Sequence, residues 1–192
     1  MSIDASRALR HRRPVSRERL ALGSPDVASL VAAAAAGDTR AFGTLHDLFA
    51  RMVHAVLLAR VPVREAEDLV QDVFLTALRK IGQLRDPAAF APWIARIARN
   101  RAMDYHRRGK RHDSLSQDVA EAAPPSAEAK EAIEAIRALP DTYREPLLMR
   151  LVEGMSGPEI AARTGMTPGS VRVNLHRGMK LLRERLGMKE PA

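Results

Sequence analysis

Four hydrogen-bonding side chains crowd into six positions near the C-terminus: Arg172, Asn174, His176 and Arg177. Their chemistry is recognition rather than bond-making. Arginine can pair two N–H donors with guanine and asparagine can pair with adenine, each worth about 1–3 kcal/mol of discrimination. A second set lies near mid-chain. Arg96, Arg99, Asn100, Arg101, Arg107, Arg108, Lys110 and Arg111 face a single acid, Asp104, with Phe90 and Trp93 at the start. Cations beside aromatics suit opened nucleic acid, where bases stack and phosphates are tracked. Trp93 itself is expected to be mostly core, so the basic stripe carries more of that signal. A third set is acidic and amide: Asp68, Gln71 and Asp72, joined by Leu75. On a basic chain such a face suits a protein partner of complementary positive charge, not DNA. Taken alone, this segment reads better as a solvated polar face.

Composition narrows the field. The 192 residues hold 31 Lys and Arg against 23 Asp and Glu, a formal charge of +8, which favours a polyanionic partner. Hydrophobic residues make up 46%, enough for a packed core in one domain or two small ones. The absence of cysteine excludes disulfides, thiolate zinc sites and cysteine nucleophiles. The six histidines have no metal-ligand spacing, no glycine loop cradles a phosphate, and no nucleophile stands beside a base. Neither an enzyme nor a bound metal or cofactor is therefore expected. Charges interrupt every candidate membrane span, and the basic N-terminus lacks the apolar stretch of a secretory signal, which predicts a cytoplasmic chain.

The elements that must position these residues repeat at helical spacing throughout, and no run alternates like a strand. Residues 1–25 read as a flexible basic arm. Ser24 and Pro25 look like the start of a first helix that ends near Gly37. Asp38 caps a second, with Phe42, Leu45, Phe49, Val53, Val56 and Leu57 as its apolar stripe. Pro62 opens a third, carrying Ala66, Leu69, Val70, Val73, Ala77, Leu78 and Ile81 on its buried face. A loop or kinked start follows through Pro92, then a helix from Trp93 towards Arg111. Residues 113–129 lose all apolar period and contain Pro124-Pro125, so they read as a linker. Some fifteen residues reach roughly 50 Å when extended, and one turn of B-DNA is about 34 Å, so two domains could hold separate sites on one duplex.

Helical patterning resumes with Ile133, Ile136 and Leu139, then from Tyr143 to Val152 with Leu147, Leu148 and Leu151 apolar. A short helix over 158–164 buries Ile160 and Ala161, and Gly165 supplies the positive φ that ends it. Thr167 or Ser170 can cap the next helix, whose buried face is Val171, Leu175, Met179 and Leu182. Apolar residues behind and donors in front make this a recognition helix. An αα-hairpin with a basic face is the plainer alternative, but Ala161, the glycine turn and the second amphipathic helix, in that order, favour DNA binding.

The segments G-D-T-R-A-F at 37–42, A-E-D-L-V-Q-D-V-F at 66–74 and W-I-A-R-I-A-R-N-R-A-M-D-Y-H-R-R at 93–108 resemble region 2 of extracytoplasmic-function (ECF) sigma factors of the sigma-70 family. L-P-D-T-Y-R-E-P-L-L-M-R at 139–150, with the helix-turn-helix after it, resembles region 4. The resemblance implies an all-α fold with two small helical domains, at 26–112 and 130–187, joined by a flexible linker at 113–129 and followed by a tail at 188–192. It implies transcription initiation with core RNA polymerase and promoter DNA as partners, and an anti-sigma factor as regulator. Asp68, Gln71, Asp72 and Phe74 would dock on the clamp helices of the polymerase's largest subunit. The loop at 83–92 with Arg96, Arg99, Asn100, Asp104, Arg107 and Arg108 would bind and open the minus-ten element. Thr167, Ser170, Arg172, Val173, Asn174, His176 and Arg177 would read the minus-thirty-five element. Val173, Asn174 and His176 depart from the residues relatives often carry there. The competing reading is a stand-alone helix-turn-helix regulator, which leaves the acidic face and the 93–111 stripe unexplained.

Overall fold

The computed structural model describes residues 26–109 and 127–188, and all its regular elements are helical. The basic arm, the body of the linker and the last four residues lie outside the described residues, as do Ser24 and Pro25. The first helix, α1 (Val27–Ala35), is instead capped by Asp26, whose carboxylate accepts from the backbone N–H groups of Ala28 and Ser29. Those hydrogen bonds, with one from the Ser29 hydroxyl, hold the Asp26 carboxyl below its ordinary range. Gly37, at φ +100°, turns the chain into Asp38, which caps α2 (Thr39–Leu58) by accepting from Arg40 at 2.8 Å and Ala41 at 3.1 Å.

Helix α3 (Val63–Lys80) follows Pro62 and buries Ala66, Val73, Phe74 and Ala77. Leu69 and Val70 are only half-buried, and Leu78, expected inside, is 45% exposed. Ala77 already faces the core, and the next residue lies about 100° round a helix of 3.6 residues per turn. Two 3-10 turns, Ile81–Gln83 and Pro87–Ala89, lead into α4 (Phe90–Gly109). The helix thus starts inside the stretch expected as a loop or a kinked helix start, and the second of these is what forms. Phe90 is fully buried with its ring centroid 5.1 Å from Phe49, which anchors the new helix there. Pro92 is tolerated because the first-turn N–H groups have no intrahelical acceptor.

The second domain begins at α5 (Ala127–Arg137), which claims the last three residues of the expected linker; Ala129 and Ala132 are buried on it. Helix α6 (Asp141–Leu151) starts two residues earlier than its apolar period suggested. Helix α7 (Gly157–Thr164) opens with a reciprocal capping box. The Ser156 N–H donates to the Glu159 carboxylate at 2.7 Å, and the Glu159 N–H donates to the Ser156 hydroxyl at 3.3 Å. Gly165, at φ +73°, ends it. Thr167, not Ser170, caps α8 (Pro168–Arg185), accepting from the Ser170 N–H at 3.1 Å. Val171 and Leu182 are buried, while Leu175 and Met179 are half-buried.

The two domains pack on each other along α2, and one continuous apolar cluster runs from Val31 to Leu182. From Met52 to Ala59 every residue of α2 and its cap except His54 is buried, so the helix is covered all round instead of along one stripe. Helices α6 and α8 approach closely at Gly178, where a Cβ would sit 3.0 Å from Leu147 Cδ1 and 3.1 Å from Tyr143 Cβ. Gly178→Val should therefore overpack that crossing. A loss of about 1–3 kcal/mol is expected, read as a lower denaturant midpoint with an unchanged slope.

Candidate functional site

Three surfaces carry the residues singled out above. On α3, Asp68, Gln71 and Asp72 are exposed at helical spacing, and the stripe continues through Leu75, 51% exposed, and Leu78. Carboxylates beside open leucines form a face with both charge and apolar contact to offer. Phe74 does not belong to it. It is 4% exposed, edge-on to Phe42 at 6.3 Å and 4.5 Å from the His46 ring centroid, so it packs within the core behind that face.

On α4, Arg96, Asn100, Arg107 and Arg108 are exposed, with Met103 beside them at 53%. Arg107 donates to Asp104 one turn earlier, which holds the guanidinium along the helix. Arg101 turns away to donate to the Thr76 hydroxyl at 2.7 Å and ties α4 to α3. Trp93 is half-buried against Phe90 at 5.7 Å, close to the core role expected for it. Arg99 is not with the open cations. Its Nε and Nη2 donate to the two oxygens of Glu145 on α6, at 2.9 and 2.8 Å. The Glu145 hydrogen bond raises the Arg99 guanidinium further above its ordinary value, against the opposite pull of burial.

On α8, Arg172, Val173, His176 and Arg177 are exposed at positions that share one helical face, and Val173 is 44% open. Asn174 is half-buried and so lies to the side of that face. Thr167 and Ser170 are exposed, but their hydroxyls bond each other at 2.8 Å as part of the cap. The short helix α7 sits behind, held by its capping box. Burial works against the Glu159 charge there, yet hydrogen bonds from Ser156 and the cations Arg51 and Arg163 leave its carboxyl below the ordinary value.

Pattern reading of the chain did not find the residues that join the domains. Glu145 also receives Arg60 at 2.8 Å. Glu153 pairs with Nδ1 of His54 at 2.5 Å, with Arg51 Nε 4.0 Å away. Arg137 donates to the Leu58 and Val61 carbonyls. Arg163 lies 5.3 Å over the Phe49 ring, where burial lowers its guanidinium. The one available signal was on α2, where the run M-V-H-A-V-L-L-A is too apolar for a helix with a single covered face. Among the described residues no cluster of His, Asp or Glu could hold a metal ion, and no helix is long and apolar enough to cross a membrane.

Residues 45–112 match the family described as Sigma-70 region 2, and residues 129–182 match Sigma-70, region 4. The chain is 37% identical over 157 residues to RNA polymerase sigma factor CarQ of Myxococcus xanthus, covering 75% of this chain and 90% of that one. It is 34% identical to ECF RNA polymerase sigma factor SigM of Mycobacterium tuberculosis, covering 83% and 84%. This chain belongs to the ECF sigma factors of the sigma-70 family. A match of 35% identity to "Probable RNA polymerase sigma factor RfaY" of Xanthomonas campestris pv. campestris covers 80% of this chain but only 42% of that protein's length. Among solved structures, CnrH in complex with the cytosolic domain of CnrY aligns at 27% identity and a TM-score of 0.55, covering 84% of this sigma factor and 97% of CnrH. The sigma factor RpoE of Bartonella quintana, solved with the anti-sigma factor NepR, shares the fold at 22% identity and a TM-score of 0.51, covering 79% and 100%. Sigma factors act in transcription initiation and are non-enzymatic, and the acidic α3 face and α4 stripe lie in region 2 while the recognition helix lies in region 4.

Separating docking from packing on α3 requires paired variants. Phe74→Ala should cost about 3–5 kcal/mol of stability through the cavity it leaves, seen as a lowered thermal midpoint. Asp72→Asn should leave that midpoint within about 0.5 kcal/mol, because Asp72 is at the surface.

Proposed function

We propose that this sigma factor divides promoter recognition between its two domains and uses the exposed α3 face to hold core RNA polymerase. The observation that carries the reading is the chemical contrast between its open faces. Region 2 presents an acidic and apolar stripe on α3, and region 4 presents Arg172, His176 and Arg177 around Val173 on α8. The first suits the clamp helices of the polymerase's largest subunit, a protein surface of opposite charge. The second suits the major groove, where arginine donors read guanine edges and an open apolar side chain meets a thymine methyl.

The minus-ten element falls to the stretch at 83–92 and to Arg96, Arg99, Asn100, Asp104, Arg107 and Arg108. Removing a base from the stack costs a few kcal/mol that a pocket must repay, and the half-buried Trp93 near this stripe is placed to help. Bond-making in RNA synthesis belongs to the polymerase, so the chain itself performs no catalysis and works in the cytoplasm where its partner does. An anti-sigma protein is the expected regulator, in keeping with the family resemblance and with CnrH having been solved together with the cytosolic domain of CnrY.

Co-elution with purified core RNA polymerase, followed by run-off transcription on a promoter library, tests this directly. Stable association with promoter-dependent transcripts is expected, and no association with active core would return the chain to the stand-alone regulator. Asp72→Arg should abolish co-elution while circular dichroism stays unchanged. Arg172→Ala should weaken duplex binding and reduce the slope of log K against log salt by about 0.9 if the side chain neutralises a phosphate. An unchanged slope together with unchanged sequence preference would remove Arg172 from the interface.

A further inference from the structure

We infer that Met103 is the residue of α4 that keeps the minus-ten strands apart: its open thioether side chain fills the gap beside an unpaired base while Arg96 and Arg107 hold the phosphates on either side. The inference rests on the reading that α4 serves the minus-ten element, and it adds to that face a residue that sequence patterning did not single out.

The first observation is where the open apolar side chains lie. Single exposed apolar residues are ordinary on a protein surface, but here they are not scattered. Among the described residues the large ones are Leu75, Leu78, Met103, Val173 and Met188. Leu75 and Leu78 belong to the stripe offered to polymerase, and Val173 to the stripe offered to the major groove. Met188 lies beyond the end of α8, which leaves Met103 alone on α4.

The second observation is the company Met103 keeps. Arg96, Asn100, Met103 and Arg107 are all exposed, and their spacing puts them within about 60° of one another around the helix. Met103 is 53% open in the middle of that stripe. Arg107 keeps 77% of its side chain open although it donates to Asp104. The other large apolar side chains of α4 are committed elsewhere. Phe90 and Ile94 are buried, and Trp93, Ile97 and Tyr105 pack against the core.

The third observation is one of scale. At about 1.5 Å per residue, Arg96 lies about 10 Å before Met103 along the axis and Arg107 about 6 Å after it. A stacked nucleotide advances about 3.4 Å, so the two guanidiniums bracket about five nucleotides with Met103 between them.

Cations alone follow a phosphate backbone and leave the stack intact. Parting the strands takes an apolar side chain on which a base can rest in place of its lost neighbour, and methionine is one of the residues that serve as such wedges. Its unbranched chain adapts to an irregular gap, and its sulfur makes favourable contacts with aromatic rings. A charged side chain at the same place would have to shed its water against the base. Phosphates fixed by Arg96 and Arg107 keep the strand from sliding past the insertion.

The test uses the full chain with core RNA polymerase on a promoter recovered from the run-off library. That promoter is supplied as an intact duplex and as the same duplex with its minus-ten element mismatched open. Permanganate reactivity of unpaired thymines reads the opening. Met103→Gln keeps the length of the side chain but makes it polar, and on the intact duplex it should lower opening by on the order of tenfold. On the pre-opened duplex that loss should largely vanish, with core co-elution and thermal midpoint unchanged. Met103→Leu, still apolar, should lose far less than Met103→Gln. Undiminished opening by Met103→Gln, or greater opening by Met103→Lys, would overturn the inference, because the position would then touch nothing or follow phosphate. An equal loss on both duplexes would also defeat it, placing the side chain on the single strand and not at the parting of the two. Arg96→Gln and Arg107→Gln separate this from the reading beneath it. If they weaken opening while Met103→Gln does not, only the role of Met103 falls. If none of the three changes opening, α4 is not the minus-ten face and that reading falls with it.

Discussion

Helix α2 must be covered around its whole circumference over its second half, and region 2 alone cannot do it. Met52, Val53, Ala55, Val56, Leu57 and Leu58 are all buried, and they point in every direction. Helices α1, α3 and α4 take some of those directions; α6 and α7 take the rest. Leaving that face open would expose a contiguous apolar patch of the kind that monomeric proteins rarely tolerate. The position of region 4 follows from this requirement, and with it every charged contact between the domains.

The same arrangement explains why some candidate residues are open and others are not. Asp72 and Phe74 are two positions apart on α3, but two residues is about 200° round a helix. One therefore faces solvent and the other lies against Phe42 and His46. Arg96 and Arg99 are three apart and share a side of α4, yet only Arg99 lies within reach of Glu145. Its pairing with Glu145 thus sets that one guanidinium apart from the open cations of the stripe. A residue's type fixes what it can bond; its neighbours in space decide which bond it makes.

Much of this was written in the chain. Asp38, Pro62, Gly165 and Thr167 act locally, through hydrogen bonds or φ values that span three or four residues, so the elements they bound were legible. The helix-turn-helix was legible for the same reason, because its cap, glycine turn and apolar period occupy one short stretch. The start of α4 was legible only as a choice between a loop and a kinked helix start. Phe90 extends that helix backwards because it packs on Phe49, a partner 41 positions away with no trace in the local pattern.

By itself, the sequence determined the helical class, the two domains, the acidic face of α3 and the basic face of α8, because all of these rest on periodicity and charge within single elements. Only the tertiary structure decided that Phe74 is core, that Arg99 is paired and that region 4 lies on α2. Each of those depends on contacts between residues 28 to 114 positions apart, such as His46 with Phe74 and Phe49 with Arg163. Side-chain spacing along one helix carries no information about which distant helix will cover it. The apolar excess of α2 announced that a partner was needed; geometry alone chose the one it has.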